Sequence, residues 1–494
     1  MKRTLAMAIA TALGATSAEA VMLNPRGTGQ VLVYPYYTVN HQQTLVSVIN
    51  ATEHGKALKI RFHEAYDGRD VANFNVYLGP FDSWVGSVFD TSGDGTGAAA
   101  IATNDNSCTV PAFPLAAVPG TLHALTFSNA NYSQGNYGTS TGTDHGPTNL
   151  ARTREGFFEI IEMGEVVDQP TSSPKTLEAI TPVNGKPPGC AQVQNAWASG
   201  GYWMTNATTD LLSPAGGLYG AAGIVDVAQG TLYAFDATGI DGFSDVVQHS
   251  APGDGKPNLS TAITDSVHDL ATAYVPIGNA MIKGDYIASM AGVDAVSAVL
   301  MADTLYNEFD IEPAVGAATD WVVTFPTKQF YVDPALVATY AQPFESVFDQ
   351  TSCHFAAPQI SDRNNPPVNT VCPPLQNCAQ NYLCYETEVI SFNDLAAEDS
   401  PTKALSSRIL PRGVLITQFE VPAAGNLALV FPNGQLRPSA NGVVFMGMPA
   451  TGFAATNYIN ANVTPGVLSN YSAAYPHRSH ASCSNSTTPQ SACE

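Results

Sequence analysis

The sequence predicts an all-β fold of two Ig-like β-sandwich domains, with long loops and a few short helices. Three observations predict it. Apolar residues recur with a period of two: Leu58, Ile60 and Phe62 against Lys59 and Arg61, then Phe74, Val76 and Leu78 against Asn73, Asn75 and Tyr77. Short runs of β-branched and aromatic residues are punctuated by Gly, Pro or Asn. Charged residues are 13% of the chain, about half the usual share, so Ser, Thr, Asn, Gln and Gly must supply the polar surface.

In chain order, residues 1–20 read as a secretory signal peptide. Lys2 and Arg3 form a basic start, residues 5–15 are apolar and uncharged, and Ala18-Glu19-Ala20 offers the small-x-small cleavage pattern, so the mature chain is expected to begin at Val21. The first sandwich is expected over 21–168. Its strands are 31–39, 45–50, the two alternating runs and 157–163, with a turn at 51–55 and a long loop at 128–149. The Pro, Ser, Thr and Gly-rich segment 169–189 reads as a linker. A second, larger sandwich is expected over 190–475, with strands at 223–227, 231–235, 321–325, 415–421 and 427–431. Residues 261–273 read as a helix, whereas the apolar residues of 293–305 fit either period. Residues 349–384 read as a Cys-rich excursion and 476–494 as a polar tail.

The net charge is −22, and loss of Lys2, Arg3 and Glu19 with the signal makes it −23. Such a polyanion repels nucleic acid and anionic headgroups, so neither nucleic-acid binding nor membrane insertion is expected. The eight cysteines are Cys108, Cys190, Cys353, Cys372, Cys378, Cys384, Cys483 and Cys493. In an exported chain an even number reads as disulfides, with on the order of a hundred possible pairings. Locality suggests Cys108–Cys190, Cys483–Cys493 and two bridges among the middle four. Five residues separate Cys372, Cys378 and Cys384, wider than the spacing of zinc knuckles.

Three phrases, at 154–164 (REGFFEIIEMG), 319–328 (TDWVVTFPTK) and 449–458 (PATGFAATNY), resemble those of a group of exported proteins of Gram-negative bacteria. The likeness covers most of the mature chain. It implies a secreted address and assigns no catalytic residue, since the group has no established activity.

Gly138-Thr-Ser140-Thr-Gly142 has the Gly-x-Ser-x-Gly spacing but falls in the long loop expected at 128–149, no His-Glu-x-x-His motif occurs, and Ser172-Ser-Pro-Lys175 lies in the Pro-rich segment without companion motifs. A hydrolase would use paired carboxylates from Glu64, Asp70, Glu159 or Glu162. Glu159 and Glu162 are an odd number of positions apart, however, so a strand sends them to opposite faces. His63-Glu64 reads as the solvated end of its strand. Asp90, Ser92 and Asp94, followed by Gly95, reproduce the opening of a calcium loop, although Ile101 stands where an EF-hand needs Glu. Trp197 and Trp203 bracket Ala-Ser-Gly-Gly-Tyr, as a sugar-stacking platform would.

The expected role is therefore a secreted or cell-surface structural or adhesive protein without catalytic activity. Residues 31–39 are the strand expected to add to a neighbouring subunit. Carbohydrate binding and carboxylate-based hydrolysis are the alternatives, with polysaccharide and other surface proteins as possible partners and calcium as a possible cofactor. A calcium cage at Asp90, Ser92 and Asp94 predicts that millimolar calcium raises the melting temperature in a thermal scan, and an unchanged curve would remove it.

Overall fold

The computed structural model describes residues 20–93, 95–114, 123–133, 143–170, 173–363, 382–392, 400–409, 422–460, 464, 466–467, 469–485 and 488–493. The signal peptide to residue 19, Asp94, Ser172, Cys372, Cys378, the strand expected at 415–421 and parts of the 128–149 loop and 349–384 excursion lie outside these residues. The chain is 44% strand and 10% helix, which makes it a mainly β protein with sandwiched antiparallel sheets.

Two sheets form the first sandwich. The larger orders its strands Met22–Leu23, Thr238–Asp241, Val31–Thr38, Glu155–Val166, Gly55–Glu64, Asp70–Leu78 and Cys108–Val110, with Leu211–Leu212 pairing beside Glu155–Val166. The smaller orders Thr231–Asp236, Ala221–Asp226, Gln43–Asn50, Ser83–Asp90, Ala99–Thr103 and His123–Thr126, with Leu218–Tyr219 pairing beside Gln43–Asn50. The period of two puts Leu58, Ile60, Phe62, Phe74, Val76 and Leu78 on one face. They pack there against Val46, Val48, Trp84 and Ile101 of the facing sheet.

The opposite face of the larger sheet is also covered. Val31, Val33 and Ile161 join a core with Trp321, Val323 and the Ala291–Leu300 helix. Ala57, Tyr77, Met163 and Val166 join another with Ile180, Val193 and Trp203, whose helices are Thr176–Ile180, Cys190–Ala196 and Tyr202–Thr205. The larger sheet is thus a central layer, and its charged face is as buried as its apolar one.

Two four-stranded sheets complete the molecule. One orders Ala357–Asp362, Ala424–Val430, Thr304–Asp310 and Arg478–His480. The other orders Thr387–Ser391, Ala317–Thr324, Thr451–Tyr458 and Tyr471–Pro476. Phe453 of the latter stacks on Phe235 at 4.4 Å and meets Tyr36 edge-on.

Several expectations change. Segment 169–189 does not separate the sheets, because strands from 211 to 241 pair with strands from 22 to 50 and 155 to 166. It carries the Thr176–Ile180 helix, and its Pro and Ser content marked the turns flanking that helix. Residues 31–39 are no free edge: Val31–Thr38 lies between Thr238–Asp241 and Glu155–Val166 with all eight residues buried. The helix expected at 261–273 is a 3-10 turn at Leu259–Thr261 followed by the strand Leu270–Ile277. The ambiguous 293–305 run ends one helix and starts the next strand. Ala291–Leu300 is buried on every side, which is why it shows no amphipathic period.

Cys108–Cys190, Cys353–Cys384 and Cys483–Cys493 are disulfides. The 349–384 excursion is built into a sheet through Ala357–Asp362, and Ala356, Ile360, Leu383 and Cys384 lie in the core.

One turn joins the central layer to the later sheets. Between the strands Gly55–Glu64 and Asp70–Leu78, the carbonyls of Ala65 and Tyr66 accept from the backbone N–H groups of Thr387 and Glu386, both at 2.9 Å. Arg69, 2% exposed, forks onto both carboxylate oxygens of Asp333. Asp333→Asn removes this fork while Arg69 keeps Asp67 at 3.3 Å and Asp144 at 3.6 Å, so it should lower unfolding free energy by about 1.5–3 kcal/mol. In the same chemical denaturation series, Arg69→Met with Asp333→Leu should cost less than the sum of the single changes.

Candidate functional site

The covered face of the central sheet decides the fate of the expected carboxylates. Glu64 accepts from Arg152 through Nε at 2.7 Å and Nη2 at 2.8 Å, and from the backbone N–H groups of Tyr66, Asp67 and Arg69. It is fully buried, as is its neighbour His63 at 2% exposure. The expected solvated strand end is therefore a buried hub, because the turn folds back around the carboxylate. Asp70 takes Arg61 at 2.7 Å, and Glu159 lies 3.3 Å from the same guanidinium. Burial alone would raise Asp70, yet Arg61 and His63 hold its carboxyl below the ordinary range.

Glu162 has different partners: Lys56 at 2.8 Å and the backbone N–H groups of Ala215 and Gly216. Burial pushes Glu162 up to about 7 against the pull of Lys56. Each of the four carboxylates therefore holds structure together, and Glu64, Glu159 and Glu162 are sealed from solvent.

The two tryptophans are packed rather than displayed. Trp203 is 1% exposed and stacks on Tyr77 with centroids 5.0 Å apart. Trp197 is half-buried beside it and donates its indole N–H to the Tyr77 hydroxyl at 3.0 Å. That hydroxyl meets His249 Nε2 at 2.9 Å, while His249 Nδ1 faces the Ala207 carbonyl at 2.8 Å. A ring that donates to a carbonyl and accepts from a hydroxyl is neutral. Consistently, burial pushes His249 down to about 3.

Asp90 closes a turn. It accepts from the Ser92 backbone N–H and hydroxyl and from the Gly95 N–H, and Arg154 lies 2.8 Å from it. Burial alone would raise the Asp90 carboxyl, but hydrogen bonds from Arg154 and Ser92 hold it below the ordinary range. The oxygens read as calcium ligands thus face a guanidinium, with Asp94 outside the described residues.

Two of the open surfaces among the described residues stand out by volume. The first is a cleft of about 870 Å³ whose lining includes Gln42, Asn149, Arg152, Arg154, Glu155 and Arg408. Its floor is a hydrogen-bonded chain: Arg154 donates to Asn40, Asn40 donates to Glu155, and Tyr36 and Ser407 also donate to Glu155. Burial raises the Glu155 carboxyl despite these donors. The second is a shallow groove of about 660 Å³ on the outer face of the smaller sheet, and no residue lining it carries a charge.

Sequence reasoning missed Gln42, Glu155 and Arg408. The signal for the floor was nevertheless present: Arg152, Arg154 and Glu155 crowd together just before an apolar strand in a charge-poor chain. Among the described residues, no group of three or more His, Cys, Asp or Glu is placed to hold a metal ion. No helix there is long and apolar enough to cross a membrane. In comparisons with known proteins, the chain matches no family model, no curated protein and no solved structure.

The histidine assignments predict the pH response. His249 packs on Trp197 and Trp203, and His477, which burial pushes down to about 4, packs 4.6 Å from Trp321. Both bind protons less readily folded than unfolded. Their contribution to stability is therefore complete above about 6.5 and is lost as pH falls toward 4 and then 3. Tryptophan emission should stay flat from pH 8 to about 5, with no quenching step near 6.5, the value of an exposed histidine. A step there would refute the neutral assignments.

Proposed function

We propose that the protein is an exported, disulfide-bonded structural component of a cell surface or extracellular matrix, assembled from copies of itself through the outer face of the smaller sheet. The uncharged groove on that face carries the reading. Leu45 is 46% exposed, Val85 50% and Leu232 48%; Leu45 lies opposite Ser87 and Gly223, Val85 opposite Ser47, and Leu232 opposite Val225. Gly223 leaves room for Leu232 to lie across the sheet, where an added Cβ would meet its Cδ1 at 2.9 Å. Exposed apolar patches of this kind mark association surfaces, whose centres are depleted in charge.

The occupant follows from charge. Each full chain carries a net charge of −22, and −23 without Lys2, Arg3 and Glu19, so two copies repel wherever acidic surfaces meet. A face without charges is where that repulsion is least, and a basic partner would be drawn elsewhere. Sheets pack face to face at about 10 Å with apolar side chains interleaved, a geometry that a twofold axis satisfies with identical patches.

Export is supported by the three disulfides and by the signal-like sequence at 1–20. The resemblance to exported proteins of Gram-negative bacteria points the same way.

Light scattering after size exclusion should show the purified mature protein as a dimer or larger. Leu45→Glu with Leu232→Glu should convert it to monomer while shifting the melting temperature by only about 2 °C, because both side chains point outward. A wild-type monomer at all concentrations, or an unaltered assembly in the double variant, would refute the reading.

A further inference from the structure

Lys56 lies between two carboxylates of the neighbouring strand. Its Nζ is 2.8 Å from Glu162 Oε1 and 2.8 Å from Glu165 Oε1, with the Lys56 and Glu162 side chains fully buried and Glu165 only 10% exposed. Glu162 and Glu165 are an odd number of positions apart, so a regular strand would turn them to opposite faces. The register of Glu155–Val166 against Gly55–Glu64 shifts between Glu162 and Gly164, and this bulge re-aims the pair so that both meet one amine. Among the described residues Lys59 and Lys328 are buried too, and neither has a carboxylate at ion-pair distance. Lys59 donates to the Ala251 carbonyl, and Lys328 to those of Ser352 and Tyr385.

The surroundings of Lys56 suit acyl transfer. Glu162 Oε2 accepts from the Gly216 N–H at 2.7 Å and Oε1 from the Ala215 N–H at 3.2 Å, so backbone donors already face both oxygens. Gly216 holds φ at +80°, and a Cβ there would meet Asp241 Oδ1 at 2.8 Å, so this donor turn requires glycine. Burial pushes Glu162 up to about 7, which populates the protonated carboxyl, the form an amine attacks, near neutral pH. At hydrogen-bond distance from Oε1, Nζ is already close to the ~3–3.5 Å at which reacting atoms meet. A buried ion pair also carries a desolvation cost that a neutral amide does not.

We propose that Lys56 and Glu162 condense into an intramolecular isopeptide bond, with Glu165 transferring the protons. Glu165 takes a proton from the Nζ ammonium and passes it to Glu162 Oε1, and the freed lone pair attacks Glu162 Cδ. Oε2 carries the developing charge against the Gly216 N–H. A second Nζ proton follows the same route as the Cδ–Oε1 bond breaks, and Oε1 leaves as water. An ammonium and a carboxylate become an amide and water, so no oxidant or activating group is needed. The bond ties two strands of the central layer across 106 positions. It needs no second copy, so it stands or falls separately from the sheet-face association.

Tryptic mapping of the purified mature protein by tandem mass spectrometry tests it. Trypsin does not cut after an acylated lysine, so residues 27–59 should emerge joined to 155–175, one water lighter than the two peptides together. Lys59 and Lys328 should remain free amines in the same digest. Glu165→Gln keeps both bonding partners and should cut the branched fraction by about tenfold or more. If that variant does not fold, the wild-type map still decides. Cleavage after Lys56 in the wild type, with an unmodified 155–175 peptide, would overturn the proposal. So would a bond from Lys56 to Glu165, or a branched fraction that Glu165→Gln leaves undiminished. A lost water without a branched peptide, as a succinimide at Asp254-Gly255 would give, counts against it equally.

Discussion

Burial of both faces of the larger sheet is the constraint on which the rest of the structure depends. A strand whose alternate residues are Lys59, Arg61 and His63 ordinarily shows them to water. Here the segment that follows Asp241 closes over them: Lys59 donates to the Ala251 carbonyl, Arg61 to Pro257 and Asn75 to Ser250. Once that cover is in place, every charge beneath it must find a partner, because an unpaired buried ion costs several kcal/mol or more. The pairings of Glu64 with Arg152, Asp70 with Arg61 and Glu162 with Lys56 follow from this requirement.

Pairing does not dispose of all the acid. Among the described residues, fourteen buried Asp and Glu face seven buried Lys and Arg. The surplus shows as carboxyls raised by burial: Asp67 beside Asp333 and Glu64, Glu386 near Glu64, and Asp320 held by the backbone N–H groups of Ala404 and Leu405. A carboxyl raised in this way gives up its charge at a higher pH than an exposed one, which eases the imbalance. Such groups often mark catalysis. In this molecule they lie in the layers and at the turn between 64 and 70, where they fix register and docking.

The alternation at 58–62 and 74–78 made the sandwich legible, and the disulfides Cys108–Cys190 and Cys483–Cys493 followed from locality. The strand at 31–39 was legible in another sense. Its apolar residues run continuously, which is the mark of a strand buried on both sides rather than of an edge. The site was less readable. Gln42, Glu155 and Arg408 meet across more than 360 positions of sequence. Hydrogen bonds from Gln42 to Ala404 and from Ser407 and Arg408 to Glu155 bring them together. Trp197 and Trp203 looked like a platform because their spacing was visible, whereas Tyr77 and His249, which cover them, come from distant strands and loops.

The sequence by itself determined the secondary-structure class and the inward alternation of the strands, because side-chain period is a local property of the backbone. It also settled the acidity and the supply of cysteines. Tertiary structure decided which faces see water, which strands neighbour one another, and which charges are structural. Those outcomes depend on contacts between residues hundreds of positions apart, and no local pattern encodes which segment will arrive to cover a given face.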